Sequence, residues 1–311
     1  MRTIFQWSLG TRTLELGKGT RIMGILNVTP DPFSDGGDYL DPKQASARAL
    51  QLLEEGADII DLGGESTRPG AAVAAAAAES RDQERKPKTP QVAKVMVSAE
   101  EELRRVLPVI TELKKLRPEV VISIDTYKAS VARAAAAAGA EIVNDVSGLR
   151  WDPQMAKTIA ELKCGAVLMH MRGRPEEWRT LPPPGDIVLQ VKRELRAWAE
   201  AAVLAGVRRE RIVLDPGLGF GKNFEQNYPL LARFDELQSL GFPLLAGSSR
   251  KSFIGRMLAK DGKDPSVADR LYGNLAAHTV LILKGVHILR THDVRAAVEA
   301  ARVADTILAS R

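Results

Sequence analysis

The sequence has few cysteine, histidine and aromatic residues. Its 311 residues include one cysteine, four histidines and only 5% aromatic residues. A single cysteine excludes an internal disulfide framework and a cysteine-rich metal site. Because Cys164 lies in the apolar stretch 164–168, we expect a buried and unreactive thiol. The few aromatic residues also provide no recognised stacking platform for a nucleic acid.

Long apolar segments are absent too. No apolar run has the length that a bilayer-spanning helix requires. Residues 1–15 alternate between polar and apolar side chains, so they lack the apolar core of a secretory signal. We therefore expect a cytoplasmic protein that does not bind membranes.

The excess of one charge is small. The chain carries 44 Lys and Arg residues against 39 Asp and Glu residues, a formal net charge of +5. Along the predicted helices the two signs are interleaved, which is typical of solvated helix faces and not of a nucleic-acid-binding surface. A modest positive excess attracts small anions such as phosphates. We expect small-molecule substrates and no nucleic acid.

What the sequence does contain is a repeated pattern. Short runs rich in Val, Ile and Leu alternate with longer stretches of helical periodicity. About eight such units predict an α/β protein, a single (β/α)8 barrel of the TIM type that forms one domain over 1–311. The strands are predicted at 21–28, 58–62, 120–125, 141–146, 166–171, 211–215, 243–248 and 286–291.

The stretches between these strands predict the outer helices, several of which begin with Ser, Asp or Pro. Residues 1–17 predict an N-terminal β-hairpin that closes the bottom of the barrel. Residues 71–96 contain an alanine run and a charged run without periodicity, which predicts a mobile loop. We favour a tolerated surface insertion over a basic lid above an anion. The helices are predicted at 42–55, 98–116, 128–138, 153–163, 186–204, 227–239, 267–284 and 294–309.

Polar residues follow the first two strands, where the chemistry of a TIM barrel collects. After the first strand, Asn27, Asp31 and Asp35 offer hard oxygen ligands that suit Mg²⁺ beside a phosphate. After the second strand, the glycine-rich segment 63–70 presents Arg68, whose planar guanidinium suits a carboxylate or a phosphate. Both loops are therefore candidate parts of an active site.

Three further polar residues end strands of the predicted barrel. Asp125, Asn144 and Asp215 each follow an apolar run, so their side chains are expected to converge on one mouth. Together they could grip the edge of a flat heterocycle that displays both donors and acceptors, such as an aminopyrimidinone. The alternative is that each residue merely caps the next helix.

Cationic segments follow the last two predicted strands. One is 247–252, which contains Lys251, and the other contains Arg290 and His292. The loops after these two strands often hold phosphate in TIM barrels, and Arg290 and His292 lie on one side of an extended chain.

The remaining histidines and one glycine-rich segment are assigned separately. His170 ends a strand and is expected to line the pocket, whereas His278 and His287 are expected to be structural. The segment 217–222 resembles a dinucleotide fingerprint but lacks its spacing, which argues against a Rossmann fold.

Seven segments match, in order, the signature motifs of one family. The chain resembles bacterial dihydropteroate synthase over nearly its whole length, and the full series is specific where a single motif would be weak. The matching segments are GILNVTPDPFSDGG, DLGGESTRPG, SIDTYK, NDVSGL, LDPGLGFGK, GSSRKSFIG and RTHDV.

The resemblance implies a transferase of folate biosynthesis. It would condense 6-hydroxymethyl-7,8-dihydropterin diphosphate with 4-aminobenzoate to give 7,8-dihydropteroate and diphosphate, with Mg²⁺ as cofactor. We expect C–O cleavage through a cation-like, SN1-type state, without a covalent enzyme intermediate. The family also implies a homodimer through outer-ring helices and sulfonamides as competitors of 4-aminobenzoate.

The resemblance also implies roles for individual residues. The expected catalytic residues are Asp35, Asp125, Asp215 and Lys251. The expected pterin-binding residues are Asp125, Asn144, Met169, Asp215 and Lys251. The expected 4-aminobenzoate-binding residues are Phe33, Thr67, Arg68, Pro69, Phe220, Lys251 and Ser252. The expected diphosphate-binding residues are Asn27, Thr67, Arg68, Arg290 and His292, with Asn27 also expected to bind the metal.

The chain departs from the family pattern at two places. The insertion 71–96 precedes a helix start that usually follows the second loop directly, so it bears on how this loop closes. Pro32 stands where the family usually has serine, which should stiffen the first loop.

Other readings of the sequence are weaker. A pterin-binding methyltransferase shares the barrel but needs neither the diphosphate-binding loop nor the 250–252 segment, and both are present. A non-catalytic pterin-binding paralogue would have lost the motifs of the first two loops, which are intact here. A basic nucleic-acid-binding protein remains the most distant alternative.

Overall fold

The computed structural model describes residues 2–29, 41–65, 97–178 and 180–310. Its strands form a two-stranded antiparallel hairpin and an eight-stranded parallel sheet. The hairpin consists of β1 (Phe5–Ser8) and β2 (Thr13–Leu16). The sheet consists of β3 (Arg21–Asn27), β4 (Ile59–Gly63), β5 (Val121–Asp125), β6 (Ile142–Asp145), β7 (Gly165–Met169), β8 (Ile212–Asp215), β9 (Leu245–Ala246) and β10 (Ile288–Thr291).

The parallel sheet closes into a barrel. Each strand from β3 to β8 pairs with the next, β3 also pairs with β10, and β10 pairs with β9. A parallel bridge between Leu214 and Leu244 joins β8 to the segment that leads into β9. This ring confirms the predicted (β/α)8 architecture.

Helices surround the barrel on its outer face. Several begin where the sequence predicts a cap: the side chains of Asp41, Ser98 and Asp186 accept hydrogen bonds from the first turns of their helices. The α-helices of the described ranges are α1 (Pro42–Glu54), α2 (Ala99–Leu116), α3 (Ala129–Ala137), α4 (Met155–Leu162), α5 (Ile187–Leu204), α6 (Phe224–Ala232), α7 (Ser252–Met257), α8 (Leu271–Leu283) and α9 (Val294–Ala309).

Side chains alternate along each strand between the helices and the barrel interior. On β4, Ile60 and Leu62 belong to the large core shared with the helices. Ile59 belongs to a second core inside the barrel. Because both faces of the sheet are covered, the strands read as continuously apolar. The alternation places Asp61 and Gly63 on the inner face, on the same side as Ile59.

The N-terminal hairpin closes the amino-terminal end of the barrel, as predicted. Trp7, Leu9 and Leu16 pack into the inner core. Trp7 is fully buried, and its indole N–H donates to the carbonyl oxygen of Arg211 at 2.8 Å. Because Trp7 is large, fully buried and hydrogen-bonded, it stabilises the closed end of the barrel.

Two distant parts of the chain meet at the same end. Arg2 forms an ion pair with Asp305 on α9, and its guanidinium also donates to the carbonyl oxygen of Val286 at 2.8 Å. Asp305 additionally accepts from the backbone N–H of Thr20 at 2.7 Å. The hairpin, the start of β3 and the last helix are therefore tied together.

The predicted helix at 227–239 is wrong as a single element. α6 begins earlier, at Phe224, because Asn223 and Gln226 form a reciprocal capping box. It ends at Ala232 and is followed by a 3₁₀ helix, Phe234–Leu240. The predicted start at 227 followed the apolar pattern, which begins after the capping residues Asn223 and Gln226.

The region from β9 to α8 differs from the prediction in detail. The strand predicted at 243–248 is reduced to Leu245–Ala246, and the short helix α7 after it was not predicted. The helix predicted at 267–284 begins as a 3₁₀ helix, Ala268–Arg270, and continues as α8. Six residues are too few for helical periodicity to identify α7.

The predicted loop at 71–96 lies outside the described residues. Among the described helices, none combines the length and the apolar character that crossing a bilayer requires.

Candidate active site

Polar side chains form the upper layer of the barrel interior. Above the apolar inner core, Asp61, Asp125, Asn144 and Asp215 lie at or near the carboxyl ends of β4, β5, β6 and β8, and all are buried. The strand register sets Gly63 opposite Asp125 and Asp125 opposite Asn144. The predicted convergence of Asp125, Asn144 and Asp215 on one mouth is supported by this geometry.

Arg290 joins two of these carboxylates. Its Nε donates to Asp61 Oδ2 at 2.6 Å, and its Nη2 donates to Asp125 Oδ2 at 2.7 Å. Asn144 Nδ2 also donates to Asp61 Oδ2, at 3.0 Å. One connected network therefore spans β4, β5, β6 and β10, and it fixes the orientation of each member.

Asp61 is the member of this network that the sequence reasoning missed. It is fully buried, and it holds both Arg290 and Asn144. The signal was present, since a charged residue sits between Ile59 and Gly63 on the inner face of an apolar strand. A buried charge in such a place needs a partner and marks a functional or structural network.

The carboxylates compete for the same cation. Burial raises the pKa of Asp125, and the nearby Asp61 adds to this, whereas Arg290 favours the charged form. Burial likewise raises the pKa of Asp215, and Lys251 acts in the opposite direction. The upper layer is thus an acidic site in which burial opposes ionisation of the carboxylates, and the cations Arg290 and Lys251 favour their ionised forms.

Lys251 lies above this layer, just before α7. Its Nζ donates to the carbonyl oxygen of Leu218 and lies 4.3 Å from the centroid of the Phe220 ring. Burial lowers the pKa of Lys251 to about 7, partly offset by Asp215. A cation with such a pKa is poised to change charge near neutral pH.

Several buried polar atoms of this layer have no hydrogen-bond partner among the described residues. They include the second carboxylate oxygens of Asp61 and Asp125 and the hydroxyl of Ser123, whose side chain shares the inner face of β5 with Asp125. Native proteins rarely leave such atoms unpaired. These three oxygens lie together at the mouth of the barrel, where a polar ligand could pair with them.

The loops after β9 and β10 are joined to each other. Ser249 Oγ lies 3.0 Å from His292 Nδ1 and accepts from the backbone N–H of His292 at 3.2 Å. Next to them, Arg250 pairs with Asp293 at 2.7 Å. These contacts bring His292 to the segment that carries Lys251, while Ser252 is exposed at the first turn of α7.

Asn27 lies at the rim of the same mouth. It ends β3 opposite Gly63. A Cβ atom built on Gly63 would lie 3.7 Å from Asn27 Oδ1 and 3.8 Å from Asp125 Oδ2, so both side chains flank this glycine. In the described ranges there is no group of three or more His, Cys, Asp or Glu residues that could hold a metal. The Asn27 side-chain oxygen is a hard oxygen donor at this rim, beside the Asp125 carboxylate.

Met169 and Phe220 belong to an apolar cluster beside the polar layer. Met169 pairs in register with Asp215 and packs with Tyr127, Trp151 and other residues at the mouth. Phe220 packs at the edge of this cluster. The site therefore has a polar floor and an apolar wall.

Two sequence-based expectations are corrected here. His170 does not line the pocket: its ring is fully buried and contacts Glu194 on α5, because its side chain points outward from the barrel. The alternative that Asp125, Asn144 and Asp215 cap helices is also wrong, since the residues at the N-caps of α3, α4 and α6 are Lys128, Gln154 and Asn223.

Three other expectations agree with the structure. His278 and His287 are buried within the fold, and His287 Nδ1 accepts from the backbone N–H of Leu244 at 3.1 Å. Cys164 is buried, and burial raises the pKa of its thiol to about 11, which makes it unreactive.

The remaining predicted site residues lie outside the described residues. They are Asp31, Phe33 and Asp35 of the first loop and Thr67, Arg68 and Pro69 of the second loop.

Comparison with known proteins defines the class of this barrel. A family described as "Pterin binding enzyme" matches residues 23–84 and 87–292, which contain all strands of the barrel from Met23 onward. The chain is thus a pterin-binding barrel enzyme.

Individual relatives narrow the class. The dihydropteroate synthase of Synechocystis is 41% identical over 306 residues, 98% of this chain and 93% of the relative. The crystal structure of the Yersinia pestis dihydropteroate synthase with a sulfonamide drug is similar with a TM-score of 0.85 and 36% identity, covering 99% of this chain and 100% of that one. The Xanthomonas albilineans dihydropteroate synthase with 4-aminobenzoic acid has a TM-score of 0.82 and 40% identity, covering 99% of both chains.

The chain belongs to the dihydropteroate synthase family, whose members are transferases of folate synthesis.

Proposed function

We propose that this enzyme joins 6-hydroxymethyl-7,8-dihydropterin diphosphate to 4-aminobenzoate, forming 7,8-dihydropteroate and releasing diphosphate. The observation that carries the proposal is that buried Asp125, Asn144 and Asp215 meet the half-buried cations Arg290 and Lys251 at one mouth of the barrel. Such an arrangement suits a flat, polar ring next to an anion.

The pterin occupies the acidic floor in this proposal. Asp215 accepts from the backbone N–H of Gly217 at 2.7 Å, which holds its carboxylate in place for the guanidine-like edge of the ring. Asp125 and Asn144 take further donors and acceptors of the ring, and Met169 packs against its face. The unpaired oxygens of Asp61 and Asp125 and the Ser123 hydroxyl support this assignment.

4-Aminobenzoate lies on the outer side, near Lys251, Ser252 and Phe220. The Lys251 ammonium already lies over the Phe220 ring, which supports a place for a second aromatic ring and its carboxylate beside them. We also assign to this side residues of the first two loops that lie outside the described ranges, namely Phe33, Thr67, Arg68 and Pro69.

The diphosphate is assigned to the basic end of the mouth. Arg290 lies on β10, and His292 comes directly after this strand. The contacts of His292 with Ser249 hold it beside the loop of Lys251. Asn27, Thr67 and Arg68 complete this group in the proposal. The ion pairs of Arg290 with Asp61 and Asp125 couple the diphosphate end to the pterin floor.

Mg²⁺ is proposed as the cofactor. Mg²⁺ usually takes one or two protein oxygens together with substrate phosphates, and the Asn27 side-chain oxygen is the described donor that fits this pattern. When bound, it would neutralise charge on the diphosphate.

The chemistry is a substitution at the exocyclic carbon of the pterin. The C–O bond to diphosphate breaks with its electron pair leaving on the diphosphate, and the arylamine nitrogen then forms the C–N bond and loses a proton. The buried carboxylates of Asp125 and Asp215 stabilise a cation-like pterin, and Arg290 and Lys251 stabilise the anion that leaves. Asp35 of the first loop is assigned to the same step.

A homodimer is proposed through the outer helices. α8 is apolar on all sides, and Tyr272 and Val280 on it are exposed, with Val303 and Ile307 exposed on the neighbouring α9. A helix that is apolar all round is usually covered on both sides. A sedimentation velocity run that gives a monomer at micromolar concentration would refute this assembly.

The cytoplasmic location is a proposal from the sequence.

One assay tests the function. Purified protein, Mg²⁺, the pterin diphosphate and labelled 4-aminobenzoate should yield labelled dihydropteroate, and EDTA should stop the reaction. A sulfonamide should inhibit it, and added 4-aminobenzoate should relieve the inhibition. No product with these substrates, or methyl transfer from a methylated folate instead, would overturn the proposal.

A further inference from the structure

The glycine-rich segment 217–222 ends in a buried lysine. Lys222 is only 7% exposed. Its Nζ lies within hydrogen-bonding distance of four atoms: His170 Nδ1 at 3.0 Å, the carbonyl oxygen of His170 at 3.3 Å, that of Gly217 at 2.9 Å and that of Phe220 at 3.1 Å. Burial lowers the pKa of Lys222 well below its ordinary value, and the nearby Asp215 acts in the opposite direction. Because carbonyl oxygens only accept, Nζ is the donor in its contacts with all three of them.

The neighbour of Lys222 has a fixed tautomer. His170 Nε2 lies 3.0 Å from Glu194 Oε2. Burial, with Lys222 adding to it, lowers the pKa of His170 to about 3, so the ring is neutral at physiological pH. Its one N–H donates to the Glu194 carboxylate, and Nδ1 is left to accept from Lys222. Glu194 on α5 thereby completes the shell around the lysine.

The backbone of the segment lies unusually close to the end of β7. Gly217 has a φ of +63°, and a Cβ atom on it would lie 1.9 Å from the carbonyl oxygen of His170. A Cβ atom on Gly221 would lie 2.2 Å from the carbonyl oxygen of Arg172. Only glycine permits this approach. It leaves the carbonyl oxygens of His170, Gly217 and Phe220 directed at one point, where the N–H donors of Lys222 Nζ pair with them.

The same segment touches the substrate side of the mouth. Between the two glycines it presents the carbonyl oxygen of Leu218 to Lys251 and the ring of Phe220 beneath the Lys251 ammonium. Trp178 packs edge-on against Phe220, with ring centroids 6.2 Å apart. Any shift of the segment would therefore move the support of Lys251.

We propose that Lys222 is a positioning residue of this enzyme. By binding the carbonyl oxygens of His170, Gly217 and Phe220, it holds the segment between β8 and α6 in the one conformation that supports Lys251. Lys222 itself does not contact substrate. This inference rests on the proposed function, because it assigns Lys251 and Phe220 to the 4-aminobenzoate side.

The test separates the two substrates. Lys222→Met keeps the length of the side chain but removes its donors, so we expect kcat/KM for 4-aminobenzoate to fall about a hundredfold, mainly through KM. The Kd of the pterin diphosphate, measured by calorimetry without 4-aminobenzoate, should rise by a clearly smaller factor. Of the pterin-binding side chains, only Asp215 is held by the segment, through the Gly217 N–H, whereas Asp125 and Asn144 lie on strands that the segment does not touch. Lys222→Gln, which retains two N–H donors, should recover part of the loss.

Lys114→Met is the matched control. Lys114 Nζ also donates to a backbone carbonyl, that of Val120 at 2.6 Å, but at the amino-terminal end of the barrel. This variant should lower the melting temperature and leave both substrate constants unchanged. If Lys222→Met does not fold, Glu194→Gln tests the same shell and should raise KM for 4-aminobenzoate by a smaller factor.

Three outcomes would overturn the proposal: an unchanged KM for 4-aminobenzoate, an equal loss for both substrates, or the same kinetic pattern in Lys114→Met. The turnover of the unmodified enzyme tests the proposed function separately. The ratio between variant and unmodified enzyme tests Lys222.

Discussion

The two layers of the barrel interior contrast sharply although the same strands build them. In the lower layer, Met23, Ile59 and Val121 pack with the hairpin residues Trp7 and Leu16, all apolar and buried. The upper layer, two to four residues further along the strands, contains carboxylates, an amide and an arginine. The second oxygens of Asp61 and Asp125 are buried there without a partner among the described residues. Successive inward-facing positions of the same strands thus differ in kind. The lower ones are apolar and stabilise the fold, and the upper ones are polar and could hydrogen-bond to a ligand.

The contrast teaches that stability and activity should be separable by mutation. Loss of an apolar side chain below should change the free energy of unfolding and spare the kinetics. Loss of Lys251 above should change the kinetics and largely spare the fold, because its side chain donates one hydrogen bond, to the carbonyl oxygen of Leu218, and lies outside the Asp61–Arg290–Asp125 network.

Lys251→Ala should have the largest effect. The side chain interacts with Asp215 on the pterin side and lies 4.3 Å from the centroid of the Phe220 ring on the aryl side. We therefore expect kcat/KM to fall at least about a thousandfold, or about 4 kcal/mol. Circular dichroism and the melting temperature should stay close to those of the unmodified enzyme. Unchanged kcat/KM in steady-state assays would remove Lys251 from the mechanism.

Trp7→Ala should act in the opposite sense. Trp7 is fully buried and its indole N–H is hydrogen-bonded, so its loss should lower the free energy of unfolding by about 3–5 kcal/mol. Urea denaturation measures this value, and KM for both substrates at 25 °C should not change. Phe5→Ala, at the partly exposed edge of the same core, is the matched control and should cost less. A change in KM without loss of stability would show that the layers are not independent.

The pH dependence should show the smallest effect. The folded pKa of Lys251 is about 7, lowered by burial from 10.5. If its ammonium form is required, kcat/KM should fall tenfold per pH unit above about pH 7. The sign for stability is reversed: between about 7 and 10.5 the unfolded chain binds this proton and the folded enzyme does not, so this group adds stability as pH rises.

A charge-retaining variant sharpens the pH test. Whatever activity remains in Lys251→Arg should lose the basic limb near pH 7, because a guanidinium stays charged. Above pH 7 the unmodified enzyme should also gain free energy of unfolding relative to Lys251→Arg, because only the lysine loses its proton on folding in this range. A basic limb that is unmoved in the variant would assign the titration to another group.

The fold was predictable because barrel strands carry a simple signal. Buried on both faces, they read as apolar runs, and all eight were found in the correct order. Elements that depend on a few hydrogen bonds were not, as with the early start of α6 at Asn223 and the six residues of α7. A short helix depends on its tertiary contacts, and it has too few residues for a periodic apolar pattern to identify it in the sequence.

The convergence of polar side chains on one mouth was predictable where a polar residue ends a strand, as with Asp125, Asn144 and Asp215, while their roles toward the substrates stay predictions. Asp61 was missed because it lies inside a strand, where only the alternation of inner and outer faces reveals it. His170 was misassigned for the same reason, since one residue of register turns a side chain from the mouth to the outer helices. The residues of the first two loops remain predictions.

The tie between Arg2 and Asp305 has a consequence for biogenesis. The partners are 303 positions apart, and β3 must wait for β10 before its second edge is paired. A ribosome that has released only the first strands therefore holds a sheet with an open edge, and the hairpin has no finished ring to seal. The ring can close only after β10 has been synthesised, and until then the open strand edge is prone to pair with other chains.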